Sequence, residues 1–309
     1  MKKLSVFVAF VLFLFSCNKE KMNETADEER LVPVRFELSL NSNTRSYFGN
    51  LLPKGNIQWG NDENIEHIYL SLPYKCAYYV SGIGAVTLGE LLEMKAEIDE
   101  PADKLVFTGE VACYCLQNGR QYYLYYFGNN GHGGEGTNVT NYYSEFENLL
   151  MGKTISFAKQ TGDINELGNY HIAKIKINAT PIRDADGVVQ SFELVAEDLQ
   201  NINSIAKLDL TGESTLAGTA TELQSFTVLW NTKTKEFEEM MERVPKATID
   251  VSDNAGCNSY ISLLPNENPP VRLECSKGRY EFIKGIRSNQ LYIGSYADNI
   301  EDARPLRWE

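Results

Sequence analysis

Val34-Arg35-Phe36-Glu37-Leu38-Ser39-Leu40 places an apolar side chain at every second position and a charged or hydroxylated one between. On an extended chain successive side chains point to opposite faces, so this stretch reads as a strand with one buried and one wet face. The same period of two returns at Ile68, Leu70 and Leu72, at Lys104–Val111, through the aromatic run Tyr122–Phe127, and at Ala173, Ile175 and Ile177. It returns again at Phe192–Ala196, Ala206–Leu210, Phe226–Trp230, Ala247–Val251, Val271–Cys275, Tyr280–Phe282 and Leu291–Tyr296. Many short strands separated by Gly, Asn, Asp and Pro turns predict an all-β protein built of β-sandwiches. Asp186-Gly187, between two such runs, is a hairpin signal.

Two segments read as helix. Thr87 and Glu90 are spaced as a capping box before Leu91, Leu92 and Met94, with Pro101 as a stop. Phe237, Met240, Met241 and Val244 follow the i, i+3, i+4, i+7 spacing before Pro245. Both are expected as short lids on the β core. A chain of 309 residues is long enough for two domains. The junction is expected around the Asp184–Gln190 turn or shortly after it, with one domain over residues 31–190 and a second over 191–309.

The N-terminus reads as an export signal. Lys2 and Lys3 precede an apolar run from Leu4 to Phe15, followed by Ser16 and Cys17. A helix needs about 20 apolar residues to span a bilayer, so this run is a leader, residues 1–16, and not an anchor. Leu14-Phe15-Ser16-Cys17 resembles the lipobox of bacterial lipoproteins, which implies acylation of Cys17 and a polar tether over residues 17–30. Removing the leader takes away two lysines and moves the formal charge from −13 to −15. So acidic a chain is not a nucleic-acid partner, because phosphate neutralisation needs clustered Lys and Arg.

The chemical inventory points away from catalysis. Cys76, Cys113, Cys115, Cys257 and Cys275 are odd in number, and no second close ligand pair accompanies Cys113 and Cys115, so a metal site is not expected and most read as buried apolar thiols. Gly131-His132-Gly133-Gly134-Glu135-Gly136 spells a dinucleotide motif, yet Thr137-Asn138-Val139-Thr140 follows where a helix is required, so it reads as a glycine-rich loop and no cofactor is expected. Asp184-Ala185-Asp186-Gly187 lacks the later acidic ligands of a calcium loop and reads as a turn. His67, His132 and His171 lack a nucleophile elbow or a zinc-binding helix around them, and the catalytic residue set is empty. In the run Tyr122, Tyr123, Tyr125, Tyr126 and Phe127, one strand face is expected to fill core. The other, if exposed, offers rings for stacking on sugars, which makes a lipid-anchored glycan-binding protein the alternative reading.

With these elements in hand, the chain resembles the fimbrillin family of Bacteroides-type bacteria. Val34–Leu40 followed by Asn41-Ser42-Asn43-Thr44-Arg45 resembles that family's first strand and its Arg processing site, and Ile57-Gln58-Trp59-Gly60-Asn61-Asp62 resembles the turn after it. Ile155–Gly162 resembles the Gln-x-Gly segment late in the N-terminal domain; Ser204–Leu210 and Tyr260–Pro265 resemble strands of the C-terminal domain. The resemblance implies two tandem transthyretin-like sandwiches and a structural or adhesive fimbrial subunit that is not an enzyme. It further implies delivery to the outer membrane as a lipoprotein through Cys17, and cleavage between Arg45 and Ser46. Its partners would then be other fimbrial subunits, joined by donor-strand exchange, at the cell surface.

Overall fold

The computed structural model describes residues 30–39, 67–80, 84–99, 104–128, 138–143, 151–158, 160–209, 215–218, 225–242, 248–252, 258–266, 271–275, 278–282, 285–294 and 303–305. The strands are β1 (Leu31–Ser39), β2 (His67–Val80), β3 (Gly84–Asp99), β4 (Lys104–Ala112), β5 (Gln121–Tyr126), β6 (Val139–Tyr143), β7 (Met151–Ser156), β8 (Ala173–Arg183) and β9 (Val189–Asn201). They continue as β10 (Ser204–Asp209), β11 (Thr215–Gly218), β12 (Ser225–Asn231), β13 (Glu236–Glu242), β14 (Thr248–Asp250), β15 (Asn258–Leu263), β16 (Val271–Cys275), β17 (Gly278–Phe282), β18 (Gln290–Gly294) and β19 (Ala303–Pro305). A 3-10 helix covers Ile164–Tyr170. The protein is all-β.

The opening strand lies in the place its period demands. Val32, Val34 and Phe36 are buried while Leu31, Pro33, Arg35 and Glu37 are exposed. β1 pairs antiparallel with β4 from Leu31↔Ala112 to Ser39↔Lys104, and parallel with β9 at Val34↔Phe192 to Phe36↔Leu194. Those ladders close a seven-stranded barrel in the order β1-β4-β3-β2-β5-β8-β9. Where the sequence predicts facing sheets, this first sheet therefore curls shut, and closure leaves it no open edge. The ring order also makes β9 part of the barrel, so the Asp184–Val188 turn lies inside the β8–β9 hairpin. Gly187, at φ +82°, supplies the left-handed position of that turn.

The barrel has distinct ends. The start of β1 lies with the end of β4 and the β8–β9 turn, as Leu31↔Ala112 and the Arg30 Nη2 bond to the Val189 carbonyl record. The end of β9 lies at the opposite end, where Ile202 and Asn203 lead into β10, and Ile205 and Leu291 join the barrel's apolar cluster there. Outside the barrel, a four-stranded sheet in the order β13-β12-β7-β6 covers β2, β3 and β5. β10 and its neighbours form a true sandwich: the sheet β15-β10-β18-β19 packs on β14-β11-β16-β17, with Leu208, Ile261 and Tyr292 against Leu273, Tyr280 and Phe282.

Both helix expectations are corrected. The Thr87–Pro101 segment supplies β3, which is hydrogen-bonded to β2 and β4. Its adjacent Leu91 and Leu92 read as a helix stripe because the strand is apolar on both sides. Leu92 and Met94 face the barrel core, while Leu91 packs under the outer sheet. The Phe237–Val244 segment supplies β13 up to Glu242, paired with β12. Its turn is set locally: Asn231 Oδ1 accepts from Lys233 N (2.8 Å), and Lys235 takes φ +58° with its N–H on Asn231 O (2.8 Å). Hairpin geometry then overrides helix spacing.

Candidate functional site

Cys17, Arg45 and Ser46, the residues singled out from sequence for lipidation and processing, lie outside the described residues, as do His132, the Gly131–Gly136 loop and the Ile57–Asp62 turn. What is described is the strand those residues flank. β1 is the seam of the barrel: its removal would break the ladders to β4 and β9 and take Val32, Val34 and Phe36 out of the core. Three large apolar side chains at ~1.5–3 kcal/mol each put about 5–9 kcal/mol in that seam before ordering costs. Phe36 lies with its ring centroid 6.2 Å from that of Phe107, its partner in register on β4.

The tyrosine run does not form a sugar-stacking platform. Tyr122 and Tyr126 enter the barrel core, and Tyr125 and Phe127 enter the cluster under the outer sheet, with exposures of 1%, 5%, 1% and 0%. Tyr123, half-buried, has Lys174 Nζ 4.0 Å from its ring centroid. Both faces of β5 are used because β5 is sandwiched between the barrel interior and a second layer. Tyr125 Oη donates to Glu239 Oε1 at 2.8 Å, an oxygen also held by Lys174 Nζ at 2.5 Å, and burial together with that carboxylate pushes the phenol pKa up. Lys153, buried below the Tyr69 ring at 4.3 Å, has its pKa lowered by desolvation.

A buried polar joint connects the barrel to the sandwich. Gln160 Nε2 donates to the carbonyls of Phe157 and Ser262 at 2.8 Å, and Ser262 N donates back to Gln160 Oε1 at 2.6 Å. Tyr260 N donates to Gly162 O at 2.8 Å. β15 is an edge strand, so Gln160 and Gly162 satisfy outward groups of its ladder as a neighbouring strand would. Ser262 Oγ donates to Tyr170 O (2.8 Å) and accepts from Asn203 Nδ2 (2.6 Å), while Asn203 Oδ1 accepts Ile172 N (2.9 Å). Sequence reasoning flagged the Gln-x-Gly segment by resemblance and missed Asn203 and Ser262; nothing in their local pattern marks them.

His67 and His171 separate sharply. His67 Nδ1 lies 2.8 Å from Glu93 Oε1 at the start of β2. His171 is fully buried, bonded through Nε2 to Asn201 Oδ1 at 2.8 Å and edge-on to Tyr126. Desolvation pushes its pKa down to about 3, against the weaker pull of Asn201. The unfolded chain binds this proton near pH 6.5 and the folded chain does not, so the stabilisation is complete above that value and is lost as pH falls toward 3, at about 1.4 kcal/mol per pH unit. Urea midpoints measured between pH 7 and 4 should fall more steeply for the wild type than for His171→Gln; parallel curves would show another group to be responsible.

Cys113 and Cys115 follow β4 in a turn and carry thiols, with Cys115 in the barrel core. Among the described residues, no group of three or more His, Cys, Asp or Glu is placed to hold a metal ion. No helix among them is long and apolar enough to cross a membrane.

No protein-family model and no curated protein matches the chain. Among the solved structures similar to it are two at low identity. One is a fimbrial assembly protein from Parabacteroides distasonis ATCC 8503, at TM-score 0.33 and 9% identity, covering 87% of this chain and 92% of that one. The other is the tip fimbrial protein Mfa3 from Porphyromonas gingivalis with C-terminal truncation, at TM-score 0.31 and 7% identity, covering 89% and 97%.

Proposed function

We propose that this chain is a structural or adhesive subunit of a bacterial surface fimbria, without enzymatic activity, exported as a lipoprotein acylated at Cys17. Cleavage between Arg45 and Ser46 releases β1 with the lipid, and a strand of another subunit takes its place. The observation that carries this reading is the seam itself: the first strand among the described residues pairs with β4 on one side and β9 on the other to close the barrel, it brings three buried side chains, and Arg45 follows it in sequence. Loss of such a strand bares two ladders and an apolar groove, a strong drive for strand addition. In this reading the two parts are tandem transthyretin-like domains. The chain passes from the barrel into the sandwich at Ile202–Ser204, and the later β12–β13 hairpin returns to pair with β7 in the sheet that covers the barrel.

Limited digestion with an Arg-specific protease is expected to turn monomer into oligomers, and Arg45→Ala to prevent it while Arg30→Ala does not. Size-exclusion chromatography with N-terminal sequencing reads both the cut and its product. A chain cut at Arg45 that stays monomeric at high concentration would sink the polymer reading.

A further inference from the structure

We propose that the barrel end carrying Leu31, Tyr114, Ile182 and Val188 lies flat against the lipid bilayer that holds Cys17, with the β10–β19 sandwich directed away from it. This rests on the reading of Cys17 as acylated, and it applies to the chain while β1 is attached.

Leu31, Tyr114, Ile182 and Val188 are 59%, 37%, 49% and 40% exposed. They belong to separate segments, the start of β1, the turn after β4 and the two flanks of the β8–β9 turn, that the barrel brings to one end. Cys113 N donates to Arg30 O at 3.0 Å, and Arg30 Nη2 bonds Val189 O, tying the three segments together. The other exposed large apolar side chains among the described residues, Ile164, Val195, Met241 and Ile293, stand on four different elements and mean little individually.

The bilayer is the occupant because of where the chain enters. Twelve residues separate Cys17 from Arg30, a length whose greatest reach is about 40 Å. β1 begins at this end, so the anchored lipid is delivered there, whereas β9 leaves for the sandwich at the opposite end. Three arginines, Arg30, Arg120 and Arg183, stand at this end of an acidic chain, beside Glu110 on β4 and the acids of the β8–β9 turn. The same turn carries two acids: Asp184, whose carboxylate accepts from Asp186 N, Val188 N and Gln190 Nε2, and Asp186, which is exposed. Aliphatic side chains, a tyrosine and arginines at one rim suit the headgroup boundary. The Tyr114 turn is held from below, with Gln117 N donating to Tyr122 Oη at 2.7 Å.

The test is amide hydrogen exchange of the full mature chain on vesicles of phosphatidylethanolamine and phosphatidylglycerol. One arm uses the acylated protein. A second uses Cys17→Ala tethered to nickel-chelating lipid through an N-terminal histidine tag, so that the face is read without native acylation. Expected is exchange at least about threefold slower over residues 112–120 and 182–190 in both arms than in solution, with Gln290–Gly294 unchanged. The double variant Leu31→Gln/Val188→Asp, altered only at exposed positions, should lose that protection. Unchanged exchange in the tag-tethered chain overturns the face; absence of fatty acid on Cys17 overturns the anchoring reading on which it rests.

Discussion

Phe36→Asp should prevent the isolated chain from closing its barrel, and a peptide of residues 31–40 added in trans should restore closure. Phe36 is 2% exposed and its ring lies 6.2 Å from that of Phe107. Truncating a buried Phe costs about 3–5 kcal/mol, and a carboxylate in its place adds a desolvation cost of several more. Whole domains are stable by only about 5–15 kcal/mol, so the substitution removes most or all of what holds β1 in place. The adjacent Glu37 is the control. It points outward and pairs with Arg35 at 2.6 Å, an exposed ion pair worth little, so Glu37→Ala should shift stability by less than about 1 kcal/mol. Fluorescence titration with the labelled peptide measures the outcome: binding to the Phe36→Asp chain and none to wild type is expected. Equal binding to both would mean that β1 is not the seam.

Gly128→Ala is the second large effect. Gly128 follows β5 at φ +79°, and a Cβ there would meet the Asn169 carbonyl oxygen at 2.4 Å, which is backbone of the 3-10 helix and cannot swing aside. Gly119 has nearly the same φ, +78°, with nothing within 4 Å of a Cβ. The two glycines therefore separate conformational cost from steric cost. Gly119→Ala should cost about 1 kcal/mol for its left-handed backbone alone, and Gly128→Ala about 3 kcal/mol or more. Urea denaturation of both variants decides it; similar midpoints would show that the 3-10 helix yields. Gly89 shows a related constraint on a strand, since a Cβ there would stand 2.3 Å from Trp230 Cε3, where β3 passes under the outer sheet.

Strand content was legible because a one-sided strand writes its burial into every second residue. Val34 and Phe36 inside, with Arg35 and Glu37 outside, follow from that pattern. The Asp186-Gly187 turn was legible for a local reason too: Asp184 Oδ1 accepts Asp186 N and Val188 N within the turn itself, needing no distant partner. Where a strand is covered on both faces the alternation disappears, and β3 has a helix-like spacing for that reason; in β13, an edge strand with Met241 exposed, the hairpin with β12 overrides the spacing instead. For β5 the sequence leaves the second face open, because whether Tyr125 is exposed depends on a sheet that arrives from residues 139–242.

The candidate site divides along the same line. From its sequence alone this protein reads as an acidic, β-rich chain with a leader-like N-terminus, a lipobox-like cysteine and an amphipathic strand before Arg45. All of these are properties of consecutive residues, and consecutive residues are what a sequence displays. Only the tertiary structure decided that β1 closes the barrel by pairing in parallel with β9, more than 150 residues away, as the Arg30–Val189 separation of 159 shows. It alone decided that Gln160 is held by Ser262, 102 residues on, and that Leu31, Tyr114, Ile182 and Val188 share one rim. Such pairings are selected by closure of the whole sheet and by burial of its polar groups, terms that exist only once every strand has found its neighbour.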